Sequence, residues 1–92
     1  MEKELKPYIH FLRALASEER LSIIKSLLEK EMCVTEVENS FYMEQSTASH
    51  HLNLLKKAGI ACSRRNGKQM IYSIDKSSFR TKYEEFLQLL SV

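Results

Sequence analysis

Residues 44–59 read EQSTASHHLNLLKKAG, and wound as a helix the stretch has two unlike sides. Ala48, Leu52 and Leu55 recur at spacings of four and three and form one apolar stripe. Gln45, Ser46, Ser49, His50 and Asn53 fall on the other side and are short, polar and mostly uncharged. Gly59 supplies a stop just past the last apolar turn. An exposed helix usually carries Glu and Lys for solubility. This one carries groups able to hydrogen-bond base edges in a major groove. An ordinary solvated surface helix explains the stretch equally well on its own, so its neighbours in the chain decide.

On the N-terminal side lies EMCVTEVENSFYM, residues 31–43. Met32, Cys33 and Val34 read as a short extended link. Thr35 followed by Glu38 reads as a capping box, which starts a short helix at Glu36 with Val37 and Phe41 inward. A break at Tyr42–Glu44 then leads into the polar-faced helix, expected over about 45–58. A short helix, a tight turn and a helix with a polar outer face make a helix-turn-helix. On the C-terminal side the period changes to two. IACSRR–NG–KQMIYSI, residues 60–74, reads as a hairpin turning at Asn66-Gly67. That turn pairs Arg65 with Lys68, Arg64 with Gln69 and Cys62 with Ile71. It gathers the bases at the tip, as in a wing.

Further out, residues 4–16 carry the apolar stripe Leu5, Tyr8, Ile9, Leu12, Leu15 and Ala16. Ser17 can cap a second helix that has Glu18 and Glu19 in its first turn and Leu21, Ile24, Leu27 and Leu28 inward. Asp75 can cap a last helix over about 76–90, with Phe79, Tyr83, Phe86, Leu87 and Leu90 along one side. The expected fold is mainly α with one small β-hairpin, in the order α-α-α-α-β-β-α. It is a winged helix-turn-helix in a single domain over residues 1–92. The terminal helices carry more apolar surface than one small core needs, which suits a homodimer joined through them.

Composition narrows the function. The chain has 92 residues and a net charge of +2, which is unremarkable in total but unevenly spread. Residues 44–70 hold Lys56, Lys57, Arg64, Arg65 and Lys68 against Glu44 alone. The positive charge thus collects on the polar-faced helix and the hairpin, as a phosphate-facing surface requires. No apolar run approaches the roughly 20 residues of a membrane span. The opening MEKELKPY lacks the apolar centre of a signal peptide, so a cytoplasmic protein is expected, with its two cysteines reduced. Cys33, Cys62 and three scattered histidines offer no recognisable nucleophile–base pair, and neither glycine belongs to a phosphate-cradling loop, so no enzyme activity is expected. His50 and His51 are adjacent and diverge by about 100° on a helix, which is poor geometry for chelation. His50 suits a groove position, His51 a half-buried imidazole, and His10 a dimer edge or plain surface.

The chain resembles the ArsR/SmtB family of winged-helix repressors over roughly residues 10–75. The resemblance rests on LRALASEERLSIIKSLL, on QSTASHHLNLLKKAGI and on the wing RRNGKQMIYSI. It implies a homodimer paired through its first and last helices, binding operator DNA and often released by a metal or an oxidant. Gln45, Ser46, Thr47, Ser49, His50, Asn53 and Lys57 are then the expected DNA contacts of the recognition helix, with Arg64, Arg65 and Lys68 on the wing. Leu5, Tyr8, Ile9, Leu12, Phe79, Tyr83, Phe86 and Leu90 are the expected dimer contacts. A winged-helix adaptor between proteins, or a regulator that displaces another DNA-bound protein, are the competing readings.

The chain departs from the family pattern at several positions. Glu44 stands where the family often has Ser. The family's thiolate metal site uses two cysteines one residue apart, but here Thr35 replaces the second, with Cys33 keeping the first. The family's other site begins Asp-x-His at the last helix, but here the matching run is Lys76-Ser77-Ser78, and no His follows Tyr72. A hydroxyl is a poor substitute for thiolate toward soft ions. No metal or other cofactor is therefore expected, and the inducer is unidentified. Cys33 and Cys62 are the candidate redox thiols. If the link at Cys33 lies against the base of the wing, they can approach each other.

Overall fold

The computed structural model describes the backbone of residues 2–92 and the side chains of residues 4–92. The order is α1 (Glu2–Leu15), α2 (Glu18–Glu29), β1 (Met32–Cys33), α3 (Val34–Phe41), α4 (Gln45–Lys57), β2 (Ala61–Asn66), β3 (Gln69–Ile74) and α5 (Lys76–Leu89). The expected helices and hairpin are all present. One strand is added, because the extended link joins the hairpin and makes an antiparallel sheet in the order β1-β3-β2.

The caps explain where the helices start. Ser17 Oγ accepts from the Arg20 backbone N–H at 3.2 Å, and Asp75 Oδ1 accepts from Ser78 N–H at 3.1 Å. The third helix begins two residues before the expected Glu36. Its box is Cys33/Glu36, not Thr35/Glu38: the Cys33 N–H donates to Glu36 Oε1 at 3.0 Å. That backbone donor, helped by Lys30 at 3.5 Å, holds the Glu36 carboxyl below its ordinary value. Tyr42 ends α3 in the left-handed region at φ 53°, and Met43 N–H closes the turn on Glu38 O. The break between α3 and α4 is therefore a tight turn.

The core is built around Phe11, Ile23, Val37, Ala48, Leu52, Leu55 and Ile60, each at most 1% exposed. Burying each of the larger side chains contributes about 1.5–3 kcal/mol. The stripe of α4 is as expected, since Ala48, Leu52 and Leu55 are fully buried. Two inner faces differ from expectation. In α1 the inward residues are Phe11 and Ala14, while Leu5, Tyr8 and Leu12 are half-buried and Ile9 is exposed. In α2 Ile23 joins Ile24 and Leu27 inside, and Leu21 and Leu28 are exposed. α1 is apolar over more than half its girth, and in α2 the adjacent pairs Ile23-Ile24 and Leu27-Leu28 let the stripe turn either way, so spacing alone admits alternative inner faces.

The hairpin register also differs, by two residues. Asn66 pairs with Gln69, Arg65 with Met70, Arg64 with Ile71 and Cys62 with Ser73. Gly67 and Lys68 form the loop; Gly67 takes φ +64° and Lys68 does not have a positive φ, the combination of a type II′ turn. A shift of two preserves every residue's face, so the burial pattern does not report it.

Gly59 joins α4 to β2 at φ +76°, and Ile60 N–H closes on Leu55 O at 3.0 Å. A Cβ there would lie 2.6 Å from Lys82 Cε and 3.1 Å from Ser78 Oγ, whereas one at Gly67 would meet nothing within 4 Å. Both Gly59→Ala and Gly67→Ala therefore incur left-handed strain, but only the first must also push α5 side chains aside. Thermal unfolding of the two variants should show each destabilised by about 1–3 kcal/mol, with Gly59→Ala losing the more because Lys82 and Ser78 must also shift. Equal losses would mean that Lys82 does not pack over the turn.

Candidate nucleic-acid interface

Gln45, Ser46, Thr47, His50, Asn53 and Lys57 are exposed along α4, and Ser49 is half-buried. None of them makes a side-chain hydrogen bond among the described residues, so their donors and acceptors are available to a ligand. Glu44 occupies the N-cap of α4 without a side-chain cap bond. The first N–H groups of the helix therefore point outward beside this polar face.

The wing lies on the same side of the molecule. Gln45 and Ser49 of α4, Val34 and Thr35 of α3, and Lys68 and Gln69 of the wing line one groove of about 350 Å³. Met70 and Tyr72 close it from the sheet. Arg65 pairs with Met70 and shares its sheet face, so it stands on the groove side. Arg64 stands on the opposite face, opposite Ile71, and its guanidinium forms an ion pair with the Glu31 carboxylate. Both partners are about half exposed, so solvent screens the pair and it contributes little to stability. The two arginines expected together at the tip thus differ in surroundings, and both sit one pair further from the turn than expected.

His51 is buried beneath this surface at 7% exposure. Arg20 Nη1 lies 3.1 Å from its Nδ1, and arginine only donates, so Nδ1 accepts and the neutral ring carries its proton on Nε2. The Glu19 carboxylate is 3.8 Å from Nε2. Burial holds the His51 pKa below its ordinary value; Glu19 opposes that, while Arg20 and His50 add to it. Arg20 was not among the residues singled out from sequence. Its only sequence signal is a base in the acid-rich first turn of α2.

The terminal helices lie side by side, with Tyr8 and Phe86 ring centroids 5.9 Å apart and Phe11 and Phe79 also 5.9 Å apart, edge to face. Leu5, Tyr8, Leu12, Phe79 and Phe86 are half-buried, while Ile9, Tyr83 and Leu90 are 40%, 50% and 47% exposed. They leave an apolar surface along α1 and α5.

The expectation about the thiols is overturned. The link at Cys33 does lie against the wing, but β3 stands between it and Cys62. Two strand spacings, about 9.5 Å, exceed the roughly 7 Å that a disulfide can bridge between Cα atoms. Cys33 is buried, and Cys62 is exposed with its Sγ 3.3 Å from Ser73 Oγ. Among the described residues, no three His, Cys, Asp or Glu side chains gather in a way that could hold a metal, and no helix is long and apolar enough to cross a membrane.

Comparison with known proteins agrees with this architecture. Residues 17–63 match the family model described as bacterial regulatory protein, arsR family. A cadmium resistance transcriptional regulatory protein CadC homolog of Staphylococcus aureus is 47% identical over 64 residues, covering 68% of this chain and 53% of the relative. The chain thus spans about half the length of the first curated relatives it matches. The transcriptional activator HlyU of Vibrio cholerae is 30% identical over 84 residues, 91% of this chain and 78% of the relative. The HlyU structure superposes with TM-score 0.73 at 28% identity over the whole of both chains. The homodimeric winged helix-turn-helix DNA-binding domain Mb0332 of Mycobacterium bovis gives 0.76 at 28% identity, covering 95% of this chain and 80% of that one.

The burial of His51, with a smaller contribution from Arg20, ties stability to pH. The folded pKa of His51 is depressed, so the unfolded chain binds its proton first as pH falls. Stability should be level above about pH 6.5 and should decline as pH drops below it toward the folded value. Thermal unfolding between pH 8 and 5 checks this. His51→Gln, whose amide oxygen can still accept from Arg20, should flatten the decline, and an unchanged decline would assign it to other groups.

Proposed function

Because the chain belongs to the bacterial arsR family of regulatory proteins, we propose that it is a sequence-specific, DNA-binding transcriptional repressor acting as a homodimer on a palindromic operator. One observation carries the reading. The exposed, unpaired and largely uncharged face of α4 and the basic wing border a single groove. Gln45 can make a paired hydrogen bond to adenine, and His50 can donate to guanine, from the first turns of the helix. Arg65 and Lys68 supply the phosphate or minor-groove contacts of the wing. Arg64 can join them by exchanging Glu31 for a phosphate.

The dimer places two such surfaces on one duplex. The apolar residues left along α1 and α5 support it, and the Mycobacterium bovis domain of the same fold is homodimeric. A two-fold axis there makes the two recognition helices read inverted half-sites. The HlyU relative is an activator, which favours as a second reading a regulator that raises transcription by displacing another DNA-bound protein. Both readings share the same contacts.

Selection from a randomised duplex pool tests the proposal. The chain should enrich an inverted repeat. Gln45→Ala should bind the enriched duplex about 1–3 kcal/mol more weakly and lose preference at one position of each half-site. Failure to enrich any sequence, with only weak binding erased by moderate salt, would point instead to the protein–protein adaptor.

A further inference from the structure

Beside the C-terminal end of the recognition helix, sharing no residue with the groove just described but including Lys57, a second cavity of about 510 Å³ lies between α1, the start of α2, the end of α4 and α5. Its volume falls within the range of small-molecule sites, roughly 300–1,000 Å³. Phe11, Leu54 and Ala58 give it an apolar floor, and His10, Arg13, Arg20, Lys57 and Lys82 stand around it. No Asp or Glu among the described residues lines it. Among the described residues, none of the four formal cations is in an ion pair. Arg20 spends its donors on neutral acceptors, namely Ala14 O, Arg13 O and His51 Nδ1. Among the described residues its positive charge has no carboxylate partner, and only the carbonyl end of α1 offsets part of it. A cleft with charge of one sign and low-dielectric walls focuses its field on whatever enters.

We propose that this cavity is the binding site for a small organic anion: an apolar or aromatic body against Phe11, Leu54 and Ala58, and a carboxylate, sulfonate or phosphate head among Arg13, Lys57 and Lys82. On α1 the cavity lies away from the apolar side assigned to the dimer. Pro7, His10 and Ala14, which line the cavity, lie roughly opposite Leu5, Ile9 and Leu12 on the wheel of α1. The stem of Lys82 passes over Gly59, where a Cβ would lie 2.6 Å from its Cε. The occupant touches the C-terminal half of the recognition helix on one side and the helices bearing the dimer surface on the other. A ligand that fits one spacing of these elements better than another shifts the population toward that spacing. This coupling, unlike the site itself, rests on the DNA-binding reading.

The probes are 1-anilinonaphthalene-8-sulfonate and its uncharged counterpart N-phenyl-1-naphthylamine, added to the full chain. The sulfonate should bind at one site per protomer, about tenfold or more tighter than the neutral molecule. Arg13→Gln/Lys82→Gln, checked for native circular dichroism, should weaken the sulfonate by a similar factor and leave the neutral probe unchanged. Equal binding of the two probes, or no effect of the double variant, overturns the site. On an enriched duplex the double variant should keep wild-type affinity. If it instead loses about 0.9 of salt slope per charge removed while sulfonate binding is intact, the cavity is part of the DNA footprint and the proposal fails. The sulfonate should change duplex affinity by the same factor by which the duplex changes sulfonate affinity. Occupancy without that change overturns the coupling and retains the site. If no duplex is enriched, the probe comparison still decides the site, and only the regulatory reading falls.

Discussion

The guanidinium of Arg20 holds three helices in one arrangement. Its Nε donates to Ala14 O at 2.9 Å and its Nη2 to Arg13 O at 3.0 Å, closing carbonyls at the end of α1 that have no partner within that helix. Its Nη1 meets the buried His51 in the middle of α4. Its own backbone N–H is capped by Ser17, so the residue that clamps the other two helices is itself anchored at the start of α2. Removing the side chain would leave the Ala14 carbonyl and the buried imidazole unpaired, while Arg13 O would keep the Ala16 N–H at 3.2 Å, and each group left unpaired costs about 1–3 kcal/mol. The recognition helix thus has its back fixed in two ways, by the fully buried Ala48, Leu52 and Leu55 and by this polar clamp. Its front is left without internal partners. That asymmetry lets the front exchange water for bases without disturbing the fold.

The sheet does for the wing what Arg20 does for the helix. An isolated two-stranded hairpin is marginal in water. Here β1 adds a third strand, pairing Met32 with Tyr72 and Cys33 with Ile71, and the same Cys33 serves as N-cap of α3. One residue therefore connects the first helix of the helix-turn-helix to the base of the wing. The Glu31–Arg64 pair sits just outside this junction and keeps one wing cation on the side away from the groove. Wing and recognition helix are consequently placed by the same short segment, which explains why Gln45, Ser49 and Lys68 come to line one groove.

Much of this was legible in the sequence, and the exceptions have physical reasons. The buried stripe of α4, the caps at Ser17 and Asp75, and the wing were all readable because each depends on local spacing or on a neighbouring residue. Phe11 and Ala14 were passed over for Leu5, Tyr8 and Ile9 because α1 is apolar on two sides, and only packing chooses between them. The register of the hairpin was off by two because Asn-Gly is a turn signal in more than one position and faces are preserved by an even shift. Arg20 and the cation-lined cavity were invisible for a different reason. Their members come from α1, α2, α4 and α5, so no spacing in the chain links them. The proximity of Cys33 and Cys62 failed because strand order, which local pattern does not reveal, puts β3 between them.

The central claim is that two copies of this surface read one duplex through paired recognition helices flanked by wings. Hydroxyl-radical footprinting of the chain on a selected duplex measures it most directly. Two protected patches are expected, related by two-fold symmetry and centred roughly 34 Å, one helical turn, apart, with further protection where the wings reach the backbone. A single asymmetric patch, or uniform protection with no fixed spacing, would contradict it.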